Sequence, residues 1–478
     1  MGPDFTPPQA PAVDSYTRDP LPAGIAAAGV AGGEEQRLVS DLDIPAQWWT
    51  LFRSPQLNAL IEKALKNNPN VQAAEASLRQ AQELLYAQQG SYYPTVQAGL
   101  TSSRQRNSAT LSPTLNSGET IFNLHTTQVT VGYTLDVFGG LRRQVESLQA
   151  QADSQRFLLQ ASYLTLSSNV VAAAVQEAGL RAQIAAAKDI IDINKKSLEL
   201  LRRQFAVGAV AGLDVAAQEA ALAQAQQVLP PLQKQLEQTR NLLTALAGGF
   251  PAGGAEGSFE LADLHLPEEL PVSLPSKLVE QRPDVRAAEE QVHAASAAIG
   301  VAVANMLPQF TIDAAAGGSA TAFGQMFASG NPFWSVSGSV AQTLFAGGAL
   351  LHRKRAAEAA FDQAAAQYRS TVVGAFQNVA DALYALQADA DALKAAVNSE
   401  RAAKVSLNLV TRQLEVGQVN YLALLSSQQI YQQAVLSLSQ ARANRFADSA
   451  ALFQALGGGW WNRNEAAAEA SSAGPGSR

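Results

Sequence analysis

Two periodicities alternate along this chain. Apolar residues recur first at three- and four-residue steps, then at every second residue, then at helical spacing again over a much longer stretch, and the whole succession occurs twice. The stretch from about 54 to 89 predicts a first helix, with Ser54 as N-cap and Pro55 just inside. Val96, Ala98 and Leu100 then alternate with Gln97, Gly99 and Thr101. Further on, Val129, Val131, Tyr133, Leu135 and Val137 alternate with Thr130, Gly132, Thr134 and Asp136. These predict strands over about 92–103 and 126–138. In the second half Phe310, Ile312, Ala314 and Ala316, then Trp334, Val336, Gly338 and Val340, predict strands over about 307–318 and 333–345. Each pair leads into a run without Pro, 141–207 and 349–416, with a single internal Gly (Gly179, Gly374) and rich in good helix formers. At about 1.5 Å per residue such a run makes a helix of about 100 Å, far longer than compact domains use. A turn and a return helix follow each time, and Pro230-Pro231 predicts a break or kink in the first return helix.

The halves share landmarks as well as patterns. Asn68-Pro69-Asn70-Val71 reappears as Arg282-Pro283-Asp284-Val285, Tyr93-Pro94 as Leu307-Pro308, and Phe138-Gly139-Gly140 as Ala346-Gly347-Gly348. Arg203-Gln204-Phe205-Ala206-Val207-Gly208 matches Arg412-Gln413-Leu414-Glu415-Val416-Gly417, and Ala245-Leu246-Ala247-Gly248-Gly249 matches Ala455-Leu456-Gly457-Gly458-Gly459. Landmarks in one order at nearly constant offset describe a unit of about 200 residues written twice. The expected organisation is an extended N-terminal segment (1–47), a first repeat (48–249), a linker with a possible short strand (250–274), a second repeat (275–461) and a disordered tail (462–478).

Composition sharpens this. Only 16% of the 478 residues are charged, against about a quarter in a soluble domain, while 47% are hydrophobic. The mean hydropathy is near zero and no run of 18–20 uninterrupted apolar residues occurs, which excludes an α-helical membrane protein. A net charge of −7 argues against nucleic acid as a partner. No Cys is present, so thiolate metal sites, disulfides and cysteine nucleophiles are excluded together.

Alternation over about ten residues, with one apolar face and one small and polar, fits a transmembrane β-barrel strand, lipid outside and water inside. Aromatics near the strand ends (Tyr92, Tyr93, Phe122, Phe138, Phe310, Phe333, Trp334, Phe345) suit interfacial girdles. A half-buried sheet of a soluble α+β protein gives the same pattern, but not beside helices of this length. Sheet edges cannot stay unpaired in lipid, and four strands are too few to close a barrel. Copies must therefore share one: two chains give eight strands, three give twelve, four give sixteen.

These residues resemble the TolC-like outer-membrane efflux channels, particularly their lipoprotein branch. Gly2-Pro3-Asp4-Phe5 is similar to the sequence after the acylated Cys of such lipoproteins, and Trp48-Trp49-Thr50-Leu51-Phe52 with Pro55-Gln56-Leu57 to their approach to the first helix. The segments 207–215 and 416–422 resemble the turns joining long and return helices. The resemblance implies a mixed α and β membrane protein: a homotrimer with a 12-stranded β-barrel in the outer membrane of a Gram-negative bacterium, continued by a periplasmic α-barrel of twelve helices. It implies a passive exit duct for drugs and other small molecules, partnered by a periplasmic adaptor and an inner-membrane RND-type transporter, with the barrel in outer-membrane lipid. The duct of a type I protein secretion system is the alternative function, and a soluble coiled-coil scaffold a different class. Met1 stands where the family carries its lipid-bearing Cys; the expectation is a mature sequence with that site replaced, the other reading a naturally unlipidated member.

The same resemblance puts the gate at the helix turns, around Gly208 and Gly417. Leu422 falls on an apolar ring position, and Tyr421 is expected to join it in the constriction. Asp214 matches a turn aspartate, expected to bond Arg202, Arg203 or Arg412; the plainer alternative is that it caps the returning helix. The second-half Asp and Arg positions that often close the aperture are here Ala423, Ser426 and Val419. No catalysis, cofactor or metal is expected: His125, His265, His293 and His352 lack ligand spacing, and no phosphate loop or nucleophile elbow occurs.

Overall fold

The computed structural model describes residues 1–20, 24–108, 120–253 and 257–463. After two short strands, β1 (Gly24–Ile25) and β2 (Gln36–Ser40), come α1 (Pro55–Asn67) and α2 (Pro69–Gln89). Strands β3 (Thr95–Arg106) and β4 (Ile121–Leu135) lead into α3 (Gly140–Ala206) and α4 (Gly212–Leu246). Strand β5 (Glu269–Val272) opens a second round of α5 (Pro275–Gln281), α6 (Pro283–Ala304), β6 (Gln309–Ala320), β7 (Pro332–Ala341), α7 (Ala349–Glu415) and α8 (Tyr421–Ala455). Helices α3 and α7 each have 67 residues, and α4 and α8 each have 35.

Three expectations need correction. The helix from 54 to 89 is two helices: Asn68, held extended by the following Pro69, separates α1 from α2. Its counterpart Arg282 precedes Pro283 in the same conformation, between α5 and α6. Both side chains then perform one task. Asn68 Nδ2 donates to the carbonyl of Leu246 at 2.9 Å, and Arg282 Nη1 to that of Ala455 at 3.1 Å, each satisfying a carbonyl at the end of a 35-residue helix. Helix α4 continues through Pro230 and Pro231, so the expected break does not occur; both prolines are exposed, on a side where the carbonyls left without donors are open to solvent. Strand limits also move by several residues; β4 starts at Ile121 and β7 stops at Ala341. One window of α3 is apolar enough to cross a membrane by length and composition, but more than half of it is buried in the protein. Of the expected tail, residues 464–478 lie outside the described residues.

The chain divides into two compact units. The first comprises residues 1–8, 77–155 and 287–368 and contains β3, β4, β6 and β7 in one antiparallel sheet of that order. Here α3 and α6 approach through small residues, Ser147 Oγ donating to Ala294 and Ser154 Oγ to Ala287, both at 3.0 Å. The N-terminal residues are tied to the same helices. Arg143 pairs with Asp4 and with Glu146, and the ring of Phe5 stacks on His293 at 4.3 Å.

The second unit comprises residues 9–76, 156–286 and 369 onward. Its core explains the Trp-Trp-x-x-Phe motif: Trp48, Trp49 and Phe52 are buried, and Trp48 stacks on Phe453 of α8 at 5.4 Å. A three-stranded sheet of order β1-β2-β5 lies beside it. Arg445, also fully buried, donates to the carbonyls of Ala26 and Glu34 and to Gln36 Oε1, fastening the N-terminal segment to α8. The glycines ending the two return helices are required by close approach. A Cβ on Gly248 would lie 2.4 Å from the carbonyl oxygen of Asn67, and one on Gly457 would lie 2.3 Å from that of Gln281.

Candidate channel wall and gate

The sheet register sorts its side chains into two faces. Residues paired across neighbouring strands project to the same side, so the ladder Val96–Val131–Ala314–Val336 and the ladder Ala98–Val129–Ala316–Trp334 lie on one face. Tyr133–Ile312 and Leu135–Phe310–Val340 extend it. The opposite face carries Gln97–Thr130–Ala315–Ser335 and Thr95–Gly132–Asp313–Ser337, with Thr134–Thr311–Ser339 beyond. Its hydroxyls bond one another, Thr311 to Ser339 at 2.6 Å and Thr126 to Ser319 at 3.0 Å. The apolar face is open: Val96, Leu100, Val129, Ile312, Trp334, Val336 and Val340 are all exposed. A large exposed apolar face on a polar-backed sheet has the character of a lipid-facing wall.

The aromatics sit at two levels. Tyr92, Tyr93, Phe138, Phe310 and Phe345 flank the helix-proximal ends of the strands, with Phe138 and Phe310 in contact at 6.2 Å. Phe333, Trp334 and the buried Phe122 lie toward the other end, where Phe323 and Phe327 are exposed. Sequence reasoning missed the last two, which lie between strands without alternation around them.

Both helix turns close alike. Gly208 (φ +75) and Gly417 (φ +73) adopt the left-handed conformation, and the following amides reach back, Ala209 to Gln204 O at 2.9 Å and Gln418 to Gln413 O at 2.8 Å. The returning helices are capped differently. At α8, Asn420 is an N-cap whose Oδ1 accepts from the amide of Ala423 at 3.1 Å. At α4 the cap position is Ala211, and the carboxylate of Asp214 instead reaches back to accept its N–H at 3.2 Å.

Asp214 is thus engaged with its own helix, and among the described residues no Arg or Lys is within ion-pair distance of it. Arg202 pairs with Glu219 at 2.7 Å, while Arg203 and Arg412 face solvent. Leu422 is 60% exposed, but Tyr421 is only 8% exposed and packs with Leu201, Leu407, Leu424 and Leu425. Its hydroxyl donates to Gln218 Oε1, and the Gln218 amide donates to Asn194 at 2.9 Å, linking α8, α4 and α3. Burial pushes the Tyr421 hydroxyl well above its usual pKa, with the nearby charge of Asp214 adding to the effect. Phe205, Val207, Leu213 and Val416 are exposed around the same turns. The repeat could have revealed Leu213, since it is the first-half counterpart of Leu422.

A two-faced sheet with free edges, joined directly to paired 67-residue helices, defines an outer-membrane channel subunit. The outer membrane efflux protein family matches residues 60–249 and again 274–458, and the chain belongs to it. It is 31% identical over 450 residues to the pyoverdine export outer membrane protein OpmQ of Pseudomonas putida, covering 92% of this chain and 94% of that protein. The toluene efflux pump outer membrane protein TtgC, also of Pseudomonas putida, is 29% identical, with 96% and 93% covered. Among solved structures the outer-membrane channel OprN superposes with a TM-score of 0.84 at 27% identity, over 96% of this chain and 99% of that one. The protein is a non-enzymatic exit duct of the Gram-negative outer membrane with a periplasmic extension, of mixed α and β fold.

Proposed function

We propose that three copies of this chain assemble into one tube, a 12-stranded β-barrel continued by twelve periplasmic helices, each chain being an internal duplication. The observation that carries this reading is the sheet itself. Among the described residues its outer strands β3 and β7 each leave one edge unpaired, while its two faces suit lipid and water.

The tube serves as the passive exit duct of a tripartite pump. An inner-membrane RND-type transporter supplies the energy, and a periplasmic adaptor docks at the helix turns. The exposed Phe205, Val207, Leu213 and Val416 support such docking, since apolar side chains at a helix tip gain from a partner. Relatives named for pyoverdine and toluene support small molecules as cargo rather than proteins.

The aperture is a ring at the turns, one Leu422 from each subunit. Asp214, Arg203 and Arg412 are close enough to the turns to pair between neighbouring subunits, and Tyr421 steadies the ring from behind. Two measurements test the reading. Native mass spectrometry in detergent should give a trimer; a monomer would overturn it. In planar bilayers Leu422→Ser and Asp214→Ala should raise conductance, and unchanged conductance in both would remove the gate assignment while leaving the duct intact.

A further inference from the structure

The two junctions where a barrel strand passes into a long helix differ in charge. Between β4 and α3, Arg142 lies 3.6 Å from Asp136, and Arg143 is held by Asp4 and by Glu146 at 2.8 Å. Every cation there has a carboxylate from its own chain. Between β7 and α7 the balance fails. His352, Arg353, Lys354 and Arg355 follow one another near the start of α7, and no acid precedes Glu358. Lys354 pairs with Glu358 at 3.2 Å, but among the described residues Arg353 and Arg355 have no ion-pair partner, and both are exposed.

This placement works against the helix. The free amides of a first turn carry partial positive charge, so cations are favourable at the opposite pole. Three formal charges near the positive end of a 67-residue helix, two of them uncompensated, therefore call for an anion from outside the chain. Two neighbouring features say what kind. Leu344 and Phe345, just before the turn into α7, are 92% and 89% exposed, an apolar pair at the membrane boundary. Beside Arg353 a cleft of about 340 Å³ opens between α3, α6 and α7, with the amides of Gln144, Gln151 and Asn305 on its walls and Val301 and Leu350 among them. A guanidinium fork with amide donors matches phosphate oxygens, and the adjoining apolar groups match an acyl chain.

We propose that this junction binds the headgroup of an anionic glycerophospholipid from the periplasmic leaflet. Arg353 engages its phosphate beside the cleft, Arg355, on another side of α7, adds to the attraction for the anionic headgroup, and Leu344 and Phe345 lie among the acyl chains. The proposal rests on the outer-membrane channel reading and adds a lipid specificity to it.

The full-length protein, reconstituted into vesicles of phosphatidylcholine alone or of equal parts phosphatidylcholine and phosphatidylglycerol, provides the test. Lipid retained on the protein is read by native mass spectrometry after extraction. The wild type should retain phosphatidylglycerol in preference, and Arg353→Gln with Arg355→Gln should cut the preference by roughly fivefold per cation at low salt. Lys394→Gln with Lys404→Gln, which removes the same charge from exposed sites farther along α7, should leave it unchanged. Equal retention of both lipids by the wild type, or an equal loss in both double variants, overturns the headgroup site alone. A wild type that enters neither kind of vesicle overturns the channel reading as well.

Discussion

The hydroxyl of Tyr421, the first residue of α8, donates a hydrogen bond to the side-chain carbonyl of Gln218 in α4, and both residues are buried. The bond joins the beginning of one return helix to the interior of the other, one residue from the exposed Leu422. Removing the hydroxyl strands an acceptor in an apolar setting. Tyr421→Phe should therefore cost about 1–3 kcal/mol, seen as a lower melting temperature by circular dichroism in detergent. Unaltered melting would mean that Gln218 is satisfied by other means.

Asp448 provides a pH test in the second unit. Burial, and then the neighbouring carboxyl of Asp389, raise its pKa from 3.8 to about 7. The folded protein thus holds this proton at pH values where the unfolded chain has lost it, so the contribution to stability falls as pH rises from about 4 to 7. Asp448→Asn should melt above the wild type at pH 8 and level with it near pH 4. The same difference at both values would show that the substitution acts by packing, not by charge.

The glycines differ in what they tolerate. Gly248→Ala and Gly457→Ala each combine a left-handed backbone with a Cβ driven into a carbonyl oxygen, and each should destabilise by about 1–3 kcal/mol or more. Gly374→Ala meets open space inside α7 and should stabilise by about 0.5–1 kcal/mol. Chemical denaturation of the three variants compares them directly.

Adjacent residues of β7 test the two faces. Val336→Lys puts a charge on the apolar side and should cost about 2–4 kcal/mol near the bilayer midplane, lowering the fraction that folds into vesicles. Ser335→Lys lies on the polar side and should fold normally while changing ion selectivity. Equal folding of both variants would refute the assignment of faces.

Much of the fold was legible because each pattern has one physical cause. Lipid on one side of a strand and water on the other impose alternation, and the absence of proline over 141–207 and 349–416 leaves helices no reason to stop. Strand limits were less legible because they depend on pairing. Beyond Ala341, β7 has no residue of β6 to meet, and Gln342 turns its side-chain amide to the carbonyls of Met306 and Thr343. The division at Asn68 was written in the Asn-Pro step. The continuity at Pro230 was not, because it depends on which side of α4 meets solvent. The helix turns of the proposed gate were the least legible part. Tyr421 and Leu422 are adjacent and both apolar, and α8 has no distinct apolar face in its sequence, so only packing separates the buried ring from the exposed side chain.

The unpaired edges of β3 and β7 make completion of this fold a question of concentration. In the proposed trimer all other backbone ladders of the sheet close within one chain while those two are completed by neighbours, so the last step of folding would also be an association between copies. A chain that meets no neighbour keeps two adhesive margins and an uncovered apolar surface in the aqueous periplasm. Dilution should therefore act on this protein as a denaturant does, and a variant defective only at a strand edge would be lost to aggregation or proteolysis before any transport defect could be measured.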